Sequence, residues 1–146
     1  MKTIQKILCA IDLSEVSGQI ADYAALQAHM MHAEVHVLYV APALNQYSDA
    51  EMPLAIIKNF IAERIENAEK VMPDFMKTHF AQVNATSKII SGYPPDAILD
   101  TARDENFDMI VIGTHGRRGV NAAVFGSVAE KVVKQSRVPV LVIRPQ

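Results

Sequence analysis

Met109-Ile-Val-Ile112 runs directly into Gly113-Thr-His-Gly116, and nine residues later Gly126-Ser127 opens a helical pattern over residues 128–135. An apolar strand that releases into glycines, with a helix start behind them, brings backbone N–H groups close to an anion. Between Gly113 and Phe125 there is no acidic side chain, whereas His115, Arg117 and Arg118 are all present. Those are the groups a polyphosphate needs.

Working outward, apolar runs alternate with helical stripes. Residues 7–11, Ile-Leu-Cys-Ala-Ile, read as a first strand. From Ser17 to Met31 the apolar positions Ile20, Tyr23, Ala24, Ala28 and Met31 repeat at helical spacing. Residues 35–40 read as a second strand, and residues 41–52, which carry Pro42, Asn45, Ser48 and Asp49, as a loop. Leu54, Ile57, Ile61, Ile65, Ala68 and Met72 form an amphipathic helix that Pro73 is expected to end or kink. A more polar third strand spans 86–91. Pro95 then suits the first turn of a helix reaching about Glu105. Residues 109–112 and 138–143 supply strands four and five.

Five strands joined by helical crossovers predict one α/β domain over residues 1–146: a doubly wound, Rossmann-like parallel sheet with helices on both faces. In such sheets the ligand sits where neighbouring strands send their crossovers in opposite directions. The glycine loop follows strand four, not strand one or three, which favours strand four beside strand one and the order 3-2-1-4-5 over the flavodoxin-like 2-1-3-4-5. The polar third strand then falls at one edge. The strand from Val138 to Ile143 falls at the other, apolar on both faces and without charge before Arg144. An open edge of that kind pairs with another chain unless covered, which predicts a homodimer.

Composition narrows the function classes. The formal net charge is −2 with half the residues hydrophobic, so no general attraction to nucleic acid or anionic membrane is expected. No segment approaches the ~20 apolar residues of a membrane span, and the start carries no signal-peptide pattern. The lone Cys9 suits a reducing cytoplasm; in an apolar strand it reads as a small buried hydrophobe. His29, His32, His36 and His79 lack an accompanying ligand pattern, so they read as ordinary histidines. There is no G-x-x-x-x-G-K-[ST] loop, no G-x-G-x-x-G fingerprint and no G-x-S-x-G elbow. No general base stands at a recognised spacing, and no catalytic residue is assigned.

The series Gly113-x2-Gly116-x9-Gly126-Ser127, the opening Ile7-Leu-Cys-Ala-Ile-Asp12-Leu-Ser14 and the closing Val138-Pro-Val-Leu-Val-Ile-Arg-Pro145 resemble the ATP-binding branch of the universal stress protein family. The resemblance implies an adenine nucleotide between the ends of strands one and four. Ile11, Asp12 and Leu13 would face the adenosine end, and the backbone of Val40 would meet adenine. Ile112, Gly113, Thr114, His115, Gly116, Arg117, Gly126, Ser127 and Val128 would surround the phosphates. It further implies ATP, with or without Mg²⁺ or Mn²⁺, a dimer through the last strand, and regulation of another protein in a stress response. Asp12 is the one candidate to help hold the ion.

Two bland readings compete at these positions. Ser127 with Glu130, and Asp12 with Glu15, each have the spacing of a capping box, which satisfies helix-start N–H groups without a ligand. Two other functions also stand beside the regulatory one: a slow ATP hydrolase or phosphotransferase, and a dimeric interaction protein that binds no nucleotide.

Overall fold

The computed structural model describes residues 1–47, 51–115 and 125–146. In chain order the elements are strand β1 (Lys6–Ile11), helix α1 (Ser17–Met31), β2 (Glu34–Ala41), α2 (Leu54–Phe80) and β3 (Ala85–Ser91). Then come α3 (Pro94–Asp104), β4 (Met109–Gly113), α4 (Ser127–Gln135) and β5 (Val140–Ile143). The strands form one parallel sheet in the order β3-β2-β1-β4-β5, as the sequence predicts.

Alternation along each strand sends side chains to opposite faces. Ile7, Cys9, Ile11, Val35, Val37 and Val111 join the apolar layer under α1 and α2. Leu8, Ala10, Leu38, Ile110 and Ile112 join the layer under α3 and α4. The central strands are therefore apolar on both faces because both faces are covered. At the sheet edge, β3 is mostly exposed and carries Thr86, Ser87 and Lys88. Burial pushes the Cys9 thiol up to about 12, so it stays protonated and inert at neutral pH.

Pro73 does not end its helix: α2 runs through it to Phe80. Proline removes a backbone N–H and costs ~3 kcal/mol inside a helix. Beyond it, however, Phe75, Met76 and Phe80 continue the stripe begun by Ala68 and Met72 onto the core. Burying two such side chains contributes roughly 3–6 kcal/mol, enough to outweigh the proline. The 41–52 segment also holds a short 3₁₀ turn, Leu44–Tyr47, where a loop without period is expected. Residues 48–50 lie outside the described residues.

β1 and β4 are pinned at their start by Asp108, whose Oδ2 accepts hydrogen bonds from the Gln5 and Lys6 backbone N–H groups at 2.9 and 3.0 Å. Asp108→Ala orphans both donors and is expected to lower stability by about 1–2 kcal/mol in urea denaturation. An unchanged midpoint would show that water replaces the carboxylate at no cost.

Candidate nucleotide site

β1 stops at Ile11, level with the end of β4 at Gly113, while its other neighbour β2 continues past it to Ala41. The crossovers leave this point in opposite directions, and a cavity of about 430 Å³ opens there. That lies within the ~300–1,000 Å³ usual for small-molecule sites.

The chain leaves β1 through a turn built on Asp12. Its Oδ1 accepts hydrogen bonds from the Ser14 backbone N–H at 3.0 Å and the Ser17 hydroxyl at 3.1 Å. The Asp12–Glu15 capping box is therefore not made. The turn occupies residues 13–16, and α1 starts at Ser17 with Val16 at the N-cap and no side-chain cap. Leu13 adopts a left-handed backbone, φ 59°, and packs against the layer under α1 and α2. It does not line the cavity.

At the opposite wall, β4 ends at Gly113 and Thr114 is buried. The Thr114 N–H donates to the Ile143 carbonyl at 2.8 Å, which fastens the turn to β5. Its hydroxyl lies 3.1 Å from Nδ1 of His115. The chain returns at Gly126, whose N–H donates to the Thr114 carbonyl at 2.6 Å. This approach requires glycine for want of room. An added Cβ at residue 126 would stand 2.9 Å from the Thr114 carbonyl oxygen, and one at 113 would collide with Ile20 Cδ1.

The start of α4 corrects the second capping box. Gly126, not Ser127, is the N-cap, no side chain among the described residues caps it, and Ser127 is already the first helical residue. Glu130 is turned the other way: its Oε1 accepts from Lys134 Nζ at 2.7 Å, and that contact holds its carboxyl below the usual range. The leading N–H groups of a helix have no intrahelical partner. Here the whole first turn, Gly126 to Ala129, lines the cavity.

Across from this turn the wall is apolar, formed by Ala10, Leu38, Val40, Pro94 and Ile98. The cavity thus joins an apolar slot to a rim of backbone N–H groups. Of the expected site residues, Ile11, Asp12, Val40, Ile112, Gly113, Thr114, His115, Gly126, Ser127 and Val128 meet on this wall. Gly116 and Arg117 lie outside the described residues. Ala10, Ile20, Leu38, Pro94, Ile98 and Ala129 were not expected. Ala10 and Leu38 could have been found by stepping two residues back from Asp12 and Val40 along their strands. Pro94 and Ile98 carry no local signal.

A divalent ion has little to hold it here. Among the described residues no three His, Cys, Asp or Glu side chains cluster. Among the described residues Asp12 supplies the one carboxylate on the cavity wall. Mg²⁺ or Mn²⁺ would be held by Asp12 together with a phosphate-bearing ligand, the usual arrangement for Mg²⁺.

Residues 3–144 match the universal stress protein family. Universal stress protein MJ0531 of Methanocaldococcus jannaschii is 30% identical over 141 residues, covering 96% of this chain and 82% of its own. The solved structure of MJ0577, from the same organism, aligns with a TM-score of 0.82 at 26% identity over 99% of each chain. A universal stress protein solved in complex with cAMP shares the fold at 20% identity, with a TM-score of 0.71 over 99% of this chain and 100% of its own. No helix among the described residues is long and apolar enough to cross a membrane. With the sheet order, the cavity and a match along nearly its whole length, this chain belongs to the universal stress protein family.

Proposed function

We propose that this protein is a cytoplasmic homodimer that binds ATP and presents its nucleotide-bound state to a partner protein. The observation that carries this reading is the uncapped first turn of α4 facing a cavity whose far wall is an apolar slot. Adenine would occupy the slot between Leu38, Val40 and Ile98, with Asp12 at the ribose end. The phosphates would lie against Gly113, Thr114, His115, Ser127 and Val128, with Gly116 and Arg117 completing their surroundings. A protein of this fold holds cAMP, so the scaffold admits an adenine nucleotide. A helix start contributes ~0.3–1 kcal/mol per nearby charge, up to ~2 when partly buried. Micromolar affinity needs about −8 kcal/mol, so most of the binding must come from the slot and the converging N–H groups.

The test is direct. Heat-denatured protein should release adenine-absorbing material, and the emptied protein should bind ATP with a micromolar dissociation constant by calorimetry. Absence of released adenine, together with no heat on titrating ATP, ADP or AMP, would sink the proposal.

The dimer would form through β5, which among the described residues pairs with β4 on one side alone. The Ile110 N–H donates to the Pro139 carbonyl at 3.0 Å and the Thr114 N–H to the Ile143 carbonyl at 2.8 Å. Odd-numbered residues of this strand thus turn their main chain to β4, which leaves Val140 and Val142 facing the open edge. Val142→Pro removes an outward N–H while sparing the ladder to β4. It is expected to convert dimer to monomer in light scattering with the nucleotide site retained. A dimer that survives this change would have to use another surface.

A further inference from the structure

We infer that Lys131 is a positioning residue for the nucleotide site, holding the α3 and α4 walls at the spacing the base requires; this rests on the nucleotide reading above. One wall of the cavity comes from Pro94 and Ile98 of α3, and the other from the first turn of α4. Asp96 lies between Pro94 and Ile98, and Lys131 follows Ser127 by one helical turn. Lys131 Nζ reaches across to Asp96 Oδ1 at 2.8 Å. It also stands 5.1 Å over the ring of Tyr93, the N-cap residue of α3. A single ammonium therefore grips α3 at two points immediately beside the slot.

Among the described residues the neighbouring charges are engaged elsewhere. Glu130 is engaged by Lys134, and Arg103 by Asp100 and Asp104 at 3.2 and 2.9 Å. Further along the same two helices a second hollow of about 250 Å³ separates them, with Asp96 and Asp100 on one side and Gln135 and Ser136 on the other. The grip of Lys131 thus divides two hollows, with Ile98 and Val132 buried in the apolar layer beneath. Exposed ion pairs usually add little to global stability. Here the consequence is local, because the pair sets the width of a gap.

Lys131→Ala and Asp96→Ala are each expected to speed ATP dissociation ~3- to 5-fold with association changed less than ~2-fold, a loss in the range of one exposed ion pair. The double variant should match Lys131→Ala, which already removes the contact with Asp96 along with that to Tyr93. Lys131→Arg should restore slow release. Dissociation rates at the wild-type value, or effects that add in the double variant, would overturn the inference. Amide hydrogen exchange on the nucleotide-free protein supplies a readout independent of ligand. The variants should accelerate exchange at the first hydrogen-bonded amides of the two helices, residues 97–98 and 130–131, and nowhere else. Uniform acceleration along the chain, or none, would also overturn it. A wild-type protein that binds no nucleotide would defeat the site reading alone, and the exchange pattern would still decide whether Lys131 sets the gap.

Discussion

Gly126→Leu is expected to weaken ATP binding roughly 100-fold, a loss of about 2.7 kcal/mol, while the sheet and the dimer persist. The backbone at this position, φ −67° and ψ 155°, is open to any residue. The effect therefore comes from space. The Cβ alone would sit 2.9 Å from a main-chain oxygen that no rotamer change can move. The rest of the side chain would stand over the first N–H groups of α4, where the phosphates are proposed to lie. Gly126→Ala should give an intermediate loss. Calorimetry of ATP binding, with circular dichroism and light scattering as folding controls, measures this. Affinity that survives in a folded Gly126→Leu protein would mean that the phosphates lie elsewhere.

The second large effect concerns the fold. Ile110 is fully buried on β4, in register with Leu8 of β1 on one side and Val140 of β5 on the other. It belongs to the layer under α3 and α4 with Phe107 and Val132. Ile110→Ala removes three carbons from a close-packed site and leaves a cavity, at a cost of ~2–5 kcal/mol. Against a total stability of ~5–15 kcal/mol for a small domain, that is a large fraction. Urea denaturation should show a lower midpoint with an unchanged slope. A shift below ~1 kcal/mol would mean that the layer closes around the gap.

Element type and sheet order were legible because they follow from local periodicity and one topological rule. Continuous apolar runs mark strands covered on both faces, and the polar character of residues 86–91 marks an edge. The glycines after strand four place the switch point, and from it the neighbours of strand one. The caps were not legible. Ser127 and Glu130 have the spacing of a capping box, yet Glu130 turns to Lys134 and leaves the helix start open. Asp12 has the same spacing to Glu15, yet its oxygen serves Ser14 and Ser17 instead. A spacing states which partners are within reach; the surrounding contacts select among them.

Pro73 teaches the same lesson at the scale of a helix. Its local cost is real, but the apolar residues beyond it gain more by staying on the core than the missing bond loses. Part of the slot shares that character, because Pro94 and Ile98 reach it only where α3 docks beside β2 and α4. By itself the chain determined its strands, their order and the glycine rim at the mouth of β4, since each depends on residues close in sequence. The tertiary structure alone decided that the start of α4 faces the cavity, which side chains closed the slot and where Lys131 found its carboxylate. Those outcomes depend on atoms that are distant in sequence and meet only when the helices pack.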